Sequence, residues 1–351
     1  MRVLQFVPTF EPGAVGAHLQ QVRRLLEDEG VDTETYAEHI RPALTGQAVD
    51  FRRYQAEPGD VVLYHVAIGS GVADFVRDAS AALVLDHHNI TPAHFWAGWE
   101  PAVVSATGWA RHQLAELAPR ASAGIAHSTY SEAELTELHC YRTSVVPILL
   151  DTDAFDRAVD HEAAERLQHD GTVWLFVGRI APNKAQHDLV KAFSVYRRVY
   201  DPDAKLRIVG ASSSAAYLDA IRRLVDALDL GGAVELTGAV TDDELAAHYR
   251  AADVFVCVSE HEGFCVPLLE AMHHGVPIVA YGATAVGETL GGGGIALPGK
   301  APSLVAAAAA LVHDDAALRA ALVEAGRRRL DDFALVTTRA QYWSALEPVL
   351  A

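Results

Sequence analysis

The chain has 351 residues, half of them hydrophobic and 21% charged. It is about twice the usual domain length and has enough apolar residues for two ordinary cores, which excludes a disordered chain and predicts two α/β domains. A formal charge of −18 disfavours nucleic acid and anionic membranes, because both repel an acidic protein that lacks a basic footprint.

No stretch reaches the roughly 18–20 unbroken apolar residues of a membrane span. The nearest, the alanine-rich run Ala301 to Val312, predicts a buried or half-buried helix, and no stable membrane insertion is expected. The opening Met1-Arg2-Val3-Leu4-Gln5-Phe6-Val7-Pro8 is too short an apolar stretch for a secretion signal and predicts a first core strand, so a cytoplasmic location is expected. Three cysteines, Cys140, Cys257 and Cys265, are too few and too irregular for a disulfide framework or a structural zinc site. Only four lysines occur, so a lysine inside a motif is informative.

Short β-branched runs alternate with helical stretches along the whole chain, as parallel βαβ units do. The first series predicts strands near Val3–Val7, Val31–Tyr36, Val61–Val66, Ala82–His87 and Gly124–His127. After the first strand, the loop Pro8 to Ala17 carries Gly13 and Gly16 ahead of a helix over about His18–Asp28. Such glycines let backbone approach a phosphate or sugar, and the helix N-terminus favours an anion, although an ordinary glycine turn has the same sequence. The fourth strand ends in Asp86-His87-His88-Asn89-Ile90-Thr91-Pro92, with His94, Trp96 and Trp99 behind it. A histidine there can reach a ligand at the strand's carboxyl end or serve a structural role. A metal is disfavoured, because the loop has no i, i+4 pair and no cysteine partners. Thr129 with Glu132 predicts a capping box opening the helix toward His139.

The run Val145 to Asp153 predicts the end of one sheet and the crossing to the next. The boundaries that follow are a first domain over 1–150, a linker over 151–170, a second domain over 171–332 and a C-terminal helix over 333–351 packing back toward the first domain. Strands of the second series fall near Val173–Val177, Leu206–Val209, Val234–Thr237, Val254–Val258 and Pro277–Ala280, with Thr241 and Glu244 capping the helix before the fourth. The sequence Phe176-Val177-Gly178-Arg179-Ile180-Ala181-Pro182-Asn183-Lys184 puts two cations on a turn at a strand's carboxyl end. There they suit a diphosphate, or are two ordinary surface charges. The strongest motif is Ser259-Glu260-His261-Glu262-Gly263-Phe264-Cys265-Val266-Pro267-Leu268-Leu269-Glu270-Ala271. Pro267 suits a helix's first turn, so the amides around Phe264, Cys265 and Val266 predict an anion site beside Gly263. Two carboxylates there, Glu262 and Glu270, suit the hydroxyl groups of a hexose and a ribose. The run Gly291–Gly294 has no strand-to-helix context and predicts a flexible loop.

Together these segments resemble the family-four retaining glycosyltransferases, most densely from about Val173 to Leu297. The resemblance implies a GT-B fold, two Rossmann-like doubly wound domains facing each other across an interdomain cleft. The family's E-x7-E element falls on Glu262 and Glu270, which implies a donor-sugar contact for the first and ribose hydroxyls for the second. The resemblance gives Arg179 and Lys184 to the diphosphate, His88 to the transferred sugar, and Gly16 to the phosphate or sugar beside the first loop. Two departures stand out: Gly263-Phe264-Cys265 replaces Gly-Phe-Gly, and Lys184-Ala185 replaces Lys-Gly.

The implied activity is retaining transfer of a hexose or related sugar from a nucleoside diphosphate sugar to a hydroxyl acceptor, a natural product or a polysaccharide intermediate. No metal and no other cofactor is implied, since cations and helix amides face the departing diphosphate. Asp151-Thr152-Asp153 falls in the linker and is discounted as a metal motif. The resemblance gives the acceptor to the first domain, which, with ten arginines, no lysine and eighteen acids over residues 1–150, is not built to sit on anionic lipid, so a small-molecule or glycan acceptor is expected. A sugar-nucleotide-binding protein without transfer activity, and a phosphorylase or epimerase on the same fold, are the alternatives.

Overall fold

Apolar strands that run unbroken by charge settle in the middle of two sheets, both seen in the computed structural model, which describes residues 1–156 and 161–350. The chain divides into unit 1, residues 1–97, 101–151 and 333–351, and unit 2, residues 98–100 and 152–332.

Unit 1 begins with β1 (Arg2–Phe10), α1 (Ala14–Asp28), β2 (Asp32–Ile40), β3 (Val49–Asp50), β4 (Val61–Val66), α2 (Gly71–Asp78) and β5 (Ala82–His87). It continues through α3 (Pro101–Leu117), β6 (Ala123–Ala126), α4 (Thr129–Glu137) and β7 (Thr143–Val145). Its seven strands are parallel in the order β3-β2-β1-β4-β5-β6-β7. All six residues of β4 are buried, as a strand covered on both faces requires.

Unit 2 carries α5 (His161–Arg166), β8 (Val173–Val177), α6 (Gln186–Val199), β9 (Lys205–Val209), α7 (Ala215–Ala227), β10 (Val234–Gly238) and α8 (Asp242–Arg250). Then come β11 (Val254–Cys257), α9 (Val266–His273), β12 (Ile278–Tyr281), α10 (Val286–Leu290), β13 (Ile295–Leu297), α11 (Pro302–Asp314) and α12 (Ala316–Asp331). The parallel order is β10-β9-β8-β11-β12-β13. Trp174 is fully buried among Phe193 and Tyr196. The last helix, α13 (Leu335–Leu350), belongs to unit 1, where Tyr342 and Leu346 join a core with Val3, Leu63 and Ile125. Burying a side chain of the size of Leu346 stabilises by about 1.5–3 kcal/mol.

The structure corrects two local expectations. The cap of α4 is Ser128, whose hydroxyl accepts from the Ser131 amide at 3.2 Å, rather than Thr129. The Gly291–Gly294 run leads into β13 and its second half is packed: a Cβ on Gly293 would lie 2.7 Å from Met272 Cε, and one on Gly294 2.8 Å from the Ile278 carbonyl. Within the expected linker, a 3-10 turn spans Thr152–Phe155 and α5 follows at His161–Arg166, while residues 157–160 lie outside the described part. The Thr241–Glu244 capping box before β11 is present in both directions. Among the described residues no helix is long and apolar enough to cross a membrane.

Candidate active site

In unit 2, β8 and β11 are neighbours although β9 and β10 intervene in sequence. The chain therefore leaves these two strands toward opposite edges of the sheet, and the loops beyond their carboxyl ends part to leave room for a ligand. The first loop carries Arg179 and Lys184, and the second carries Glu262. Lys184 Nζ lies 2.6 Å from both carboxylate oxygens of Glu262. The sequence gives these two groups to different parts of a ligand; in the unliganded fold they satisfy each other. Burial opposes the charge on Lys184, but Glu262 overrides it and keeps the ammonium above its ordinary range.

Neighbouring residues fix the two loops. Asn183 Nδ2 donates to the His261 carbonyl at 3.0 Å, and the Asn183 carbonyl accepts from the Glu260 amide at 2.9 Å. Gln186 Nε2 donates to the Arg179 carbonyl at 3.0 Å. The Arg179 side chain is exposed and forms no ion pair among the described residues, so it is available to an incoming anion.

Beyond Glu262 the chain turns into α9. Gly263 is half-buried, Phe264 and Cys265 are buried, and Val266 opens the helix with Pro267 in its first turn. Thr289 Oγ1 donates to the Phe264 carbonyl at 2.5 Å, and the Glu262 amide donates to Thr284 Oγ1 at 2.9 Å. Glu270, on α9, accepts from the Tyr249 hydroxyl at 2.6 Å, and burial raises its carboxyl above the usual range. A hydrogen bond with Cys257 and burial hold the Cys265 thiol well above its ordinary value. It therefore stays neutral and adds no negative charge beside the turn.

Both departures from the family's glycines fall where glycine is favoured. Ala185 has φ 50° and Cys265 has φ 79°, left-handed conformations that cost an ordinary residue about 1–2 kcal/mol. The backbone keeps the glycine geometry even though the side chain has changed. Thr284 (φ 49°) shares the conformation, so three loop residues of unit 2 carry such strain, as functional loops often do.

The remaining predicted residues lie in unit 1. Gly13 caps α1 at φ 132°, and Gly16 sits in the first turn, where a Cβ would be 2.0 Å from the Glu11 carbonyl. Close packing of its own loop therefore accounts for Gly16. His88 follows β5, and both ring nitrogens face protein: Nε2 is 3.0 Å from His65 Nδ1, and Nδ1 is 3.1 Å from His127 Nε2. Asn89 Nδ2 donates to Ser131 Oγ at 3.0 Å.

Two groups offer potential metal-ligating atoms within 4.8 Å of one another: Cys257, Glu262 and Cys265, and His18, His65, Asp86 and His88. In the first, an ion would have to break the Lys184 pair and ionise a neutral thiol. In the second, the Leu149 amide donates to His18 Nδ1 at 2.9 Å, which leaves the hydrogen on the nitrogen facing Asp86. Sequence reasoning had no access to Asn183, Tyr249 or Thr284 as supports. The one available signal was polar residues inside apolar runs, such as His65 within β4 and Asp86 within β5.

Two parallel α/β units, each with its strand order reversing beside the first strand, define the GT-B class of fold. Two solved structures align over 99% of the chain: sucrose-phosphate synthase from Thermosynechococcus elongatus, TM-score 0.79 and 18% identity over 99% of that chain, and Anabaena Alr3699/HepE in complex with UDP-glucose, TM-score 0.77 and 18% over 100%. Residues 160–329 match the family described as Glycosyl transferases group 1. It is 34% identical over 242 residues to the D-inositol 3-phosphate glycosyltransferase of Kineococcus radiotolerans, a match covering 63% of this chain and 55% of that protein. The match thus spans about half the length of that curated relative.

Proposed function

We propose that the protein is a retaining glycosyltransferase that moves a hexose or related sugar from a nucleoside diphosphate sugar to a hydroxyl acceptor without a metal ion. The observation that carries this reading is the Lys184–Glu262 contact at the point of unit 2 where the strand order reverses, inside the segment that matches the family. A donor offers the pair an exchange: its diphosphate meets Lys184 and Arg179, and its sugar hydroxyls meet Glu262. Glu270, oriented by Tyr249, takes the ribose hydroxyls.

As the reaction proceeds, the bond from the anomeric carbon to the diphosphate oxygen breaks and negative charge grows on that oxygen. Arg179 and Lys184 stabilise this charge, and they do so more in the transition state than in the ground state. The acceptor hydroxyl forms the new bond on the face the diphosphate leaves, and its proton passes to a β-phosphate oxygen. The products are a glycoside and a nucleoside diphosphate. Bound UDP-glucose in the Anabaena structure makes a UDP-sugar the first donor to try, and a hydroxylated small molecule or glycan is the acceptor class.

Incubation of the purified protein with a panel of nucleoside diphosphate sugars and simple alcohol acceptors, followed by NMR of the anomeric proton, tests the reading. Transfer with the donor's anomeric configuration, unchanged in excess chelator, is expected. Inverted product, or activity lost in chelator and restored by manganese, contradicts it.

A further inference from the structure

The core of unit 1 gathers His18 from α1, His65 from β4, Asp86 from β5, and His88 and His127 from the loops after β5 and β6. The side chains of His18, His65 and Asp86 are wholly buried, and those of His88 and His127 are 3% exposed. Tyr342 of α13 closes the group, its hydroxyl donating to Asp86 Oδ2 at 2.6 Å. These are the titratable groups that face the site from the elements packed around it.

Partners with a fixed role decide where the hydrogens lie. The Leu149 amide donates to His18 Nδ1 at 2.9 Å, so His18 Nε2 carries hydrogen and donates to Asp86 Oδ2 at 2.9 Å. Gln5 Nε2 donates to the Leu19 carbonyl at 3.3 Å, which leaves Gln5 Oε1 to accept from His65 Nε2 at 3.1 Å. His65 Nδ1 is then a lone pair, and His88 Nε2 must donate to it across 3.0 Å. At the far end the Val146 carbonyl can only accept, so His127 Nδ1, at 3.0 Å from it, carries hydrogen.

Three atoms are left: His88 Nδ1, His127 Nε2 and Asp86 Oδ1. His127 Nε2 lies 3.1 Å from the first and 3.0 Å from the second. If both rings were neutral and Asp86 ionised, three lone pairs would face one another in a buried site, which is costly in a low-dielectric interior. One further hydrogen, on His127 Nε2, makes the hydrogen bond to His88 Nδ1 and places a positive charge 3.0 Å from Asp86 Oδ1, a buried oxygen that otherwise has no hydrogen-bond partner.

We propose that this site permanently holds one proton more than four neutral imidazoles and a carboxylate carry, placed on His127 Nε2, hydrogen-bonded to His88 Nδ1 and ion-paired with Asp86 Oδ1. Burial pushes His88 and His18 below the ordinary histidine value and His65 down to about 3. Burial opposes the Asp86 carboxylate, but the surrounding rings hold it well below its usual range. The geometry places the proton on His127, whose Nδ1 faces the Val146 carbonyl and whose Nε2 faces His88 Nδ1 and, 3.0 Å away, Asp86 Oδ1. The consequence for His88 is specific. Its Nε2 donates to His65 and its Nδ1 accepts from His127, so no lone pair is left to take up a substrate proton. His65 sets the His88 tautomer, and His127 is a positioning residue that occupies the remaining lone pair. That last step bears on catalysis only if His88 lies at the donor sugar, as the proposed function has it, but the proton count stands without it.

The test is long-range 1H–15N NMR of the full chain labelled at histidine, near neutral pH. The expected result is one ring with both nitrogens protonated and with N–H hydrogens that survive transfer into D2O, which separates it from surface rings. His18, His65 and His88 should each appear as the single Nε2–H tautomer. The doubly protonated signal should vanish in His127→Gln, whose amide keeps an N–H toward Asp86 and leaves the His88 tautomer unchanged. No slowly exchanging doubly protonated ring in the unsubstituted protein, or such a ring persisting in His127→Gln, overturns the proposal, and the first of these outcomes decides even if the variant fails to fold. Loss of transfer activity with the NMR signature intact would count against the proposed function alone.

Discussion

The two units share one strand order around their first strand, but they place polar groups in opposite ways. Unit 1 gathers four histidines and Asp86 beside β1, β4 and β5 and satisfies them inside the protein, with Tyr342 closing the group. Unit 2 puts Arg179, Lys184 and Glu262 beyond β8 and β11, leaves Arg179 exposed, and holds Lys184 by a single partner that a ligand can replace. A doubly wound sheet therefore provides a place for polar groups without deciding their use. Whether those groups are enclosed among several protein partners or left exposed or held by one replaceable partner separates a structural network from a site awaiting a ligand.

The contrast breaks first, and with the largest effect, at the cations of unit 2. Arg179→Ala should lower turnover by about 10²–10³, the cost of losing one donor aimed at developing charge, with little change in folding because its side chain is exposed. Lys184→Ala should lower turnover similarly and also reduce stability by about 3 kcal/mol, the low end for breaking a buried pair, because Glu262 is left uncompensated. Steady-state kinetics paired with denaturant unfolding checks both. Equal stability of the two variants would mean that the Lys184–Glu262 pair is not formed in solution. Glu270→Ala should appear chiefly in the Michaelis constant, since ribose hydroxyls change little during reaction.

The network of unit 1 should respond through stability. Tyr342→Phe removes a hydrogen bond to a buried carboxylate and should cost about 1.5–3 kcal/mol in chemical unfolding. Acid should act in the same place. His18, His65 and His88 have folded values below the unfolded one, so the unfolded chain binds more protons and stability falls as pH drops below about 6.5. Asp86, held low in the fold, adds to the loss at still lower pH. Glu270 has the opposite sign: its raised carboxyl binds protons better folded, so its contribution improves with acid. Hydrogen exchange should show β4 and β5 opening before β8 and β11 as pH falls. Simultaneous loss in both sheets would erase the distinction between the units.

The smallest effect sharpens the comparison within unit 2. Ala185→Gly and Cys265→Gly place glycine at φ 50° and 79° and should each raise stability by up to about 1 kcal/mol, read as a rise in the unfolding midpoint. Destabilisation at Cys265 would mean that its buried thiol contributes more than its backbone strain costs.

What the sequence made legible follows from how local each signal is. The strands Val61–Val66, Ala82–His87 and Val173–Val177 have the predicted bounds because each is a mainly apolar run between turns. β3, with two residues, and β7 and β13, with three each, are too short to show a pattern of their own. The α4 cap was displaced by one residue because Ser128 and Thr129 are both good caps and only backbone geometry separates them. Lys184, Glu262 and Glu270 could be picked out because each sits in a compact motif at a strand's end. Their mutual contact could not, since 78 residues separate Lys184 from Glu262. His18, His65 and His127 were missed for the same reason: they come from separate elements and share nothing until β1, β4, β5 and β6 are side by side.

Hydrogen exchange of the full chain with and without a panel of nucleoside diphosphates, UDP first, tests the central claim most directly. At least one nucleotide should slow exchange in the loop over 178–185 and in the turn and helix over 262–270, and leave the buried network at β4 and β5 unchanged. Protection confined to unit 1, or none in either loop with any nucleoside diphosphate, would contradict the account.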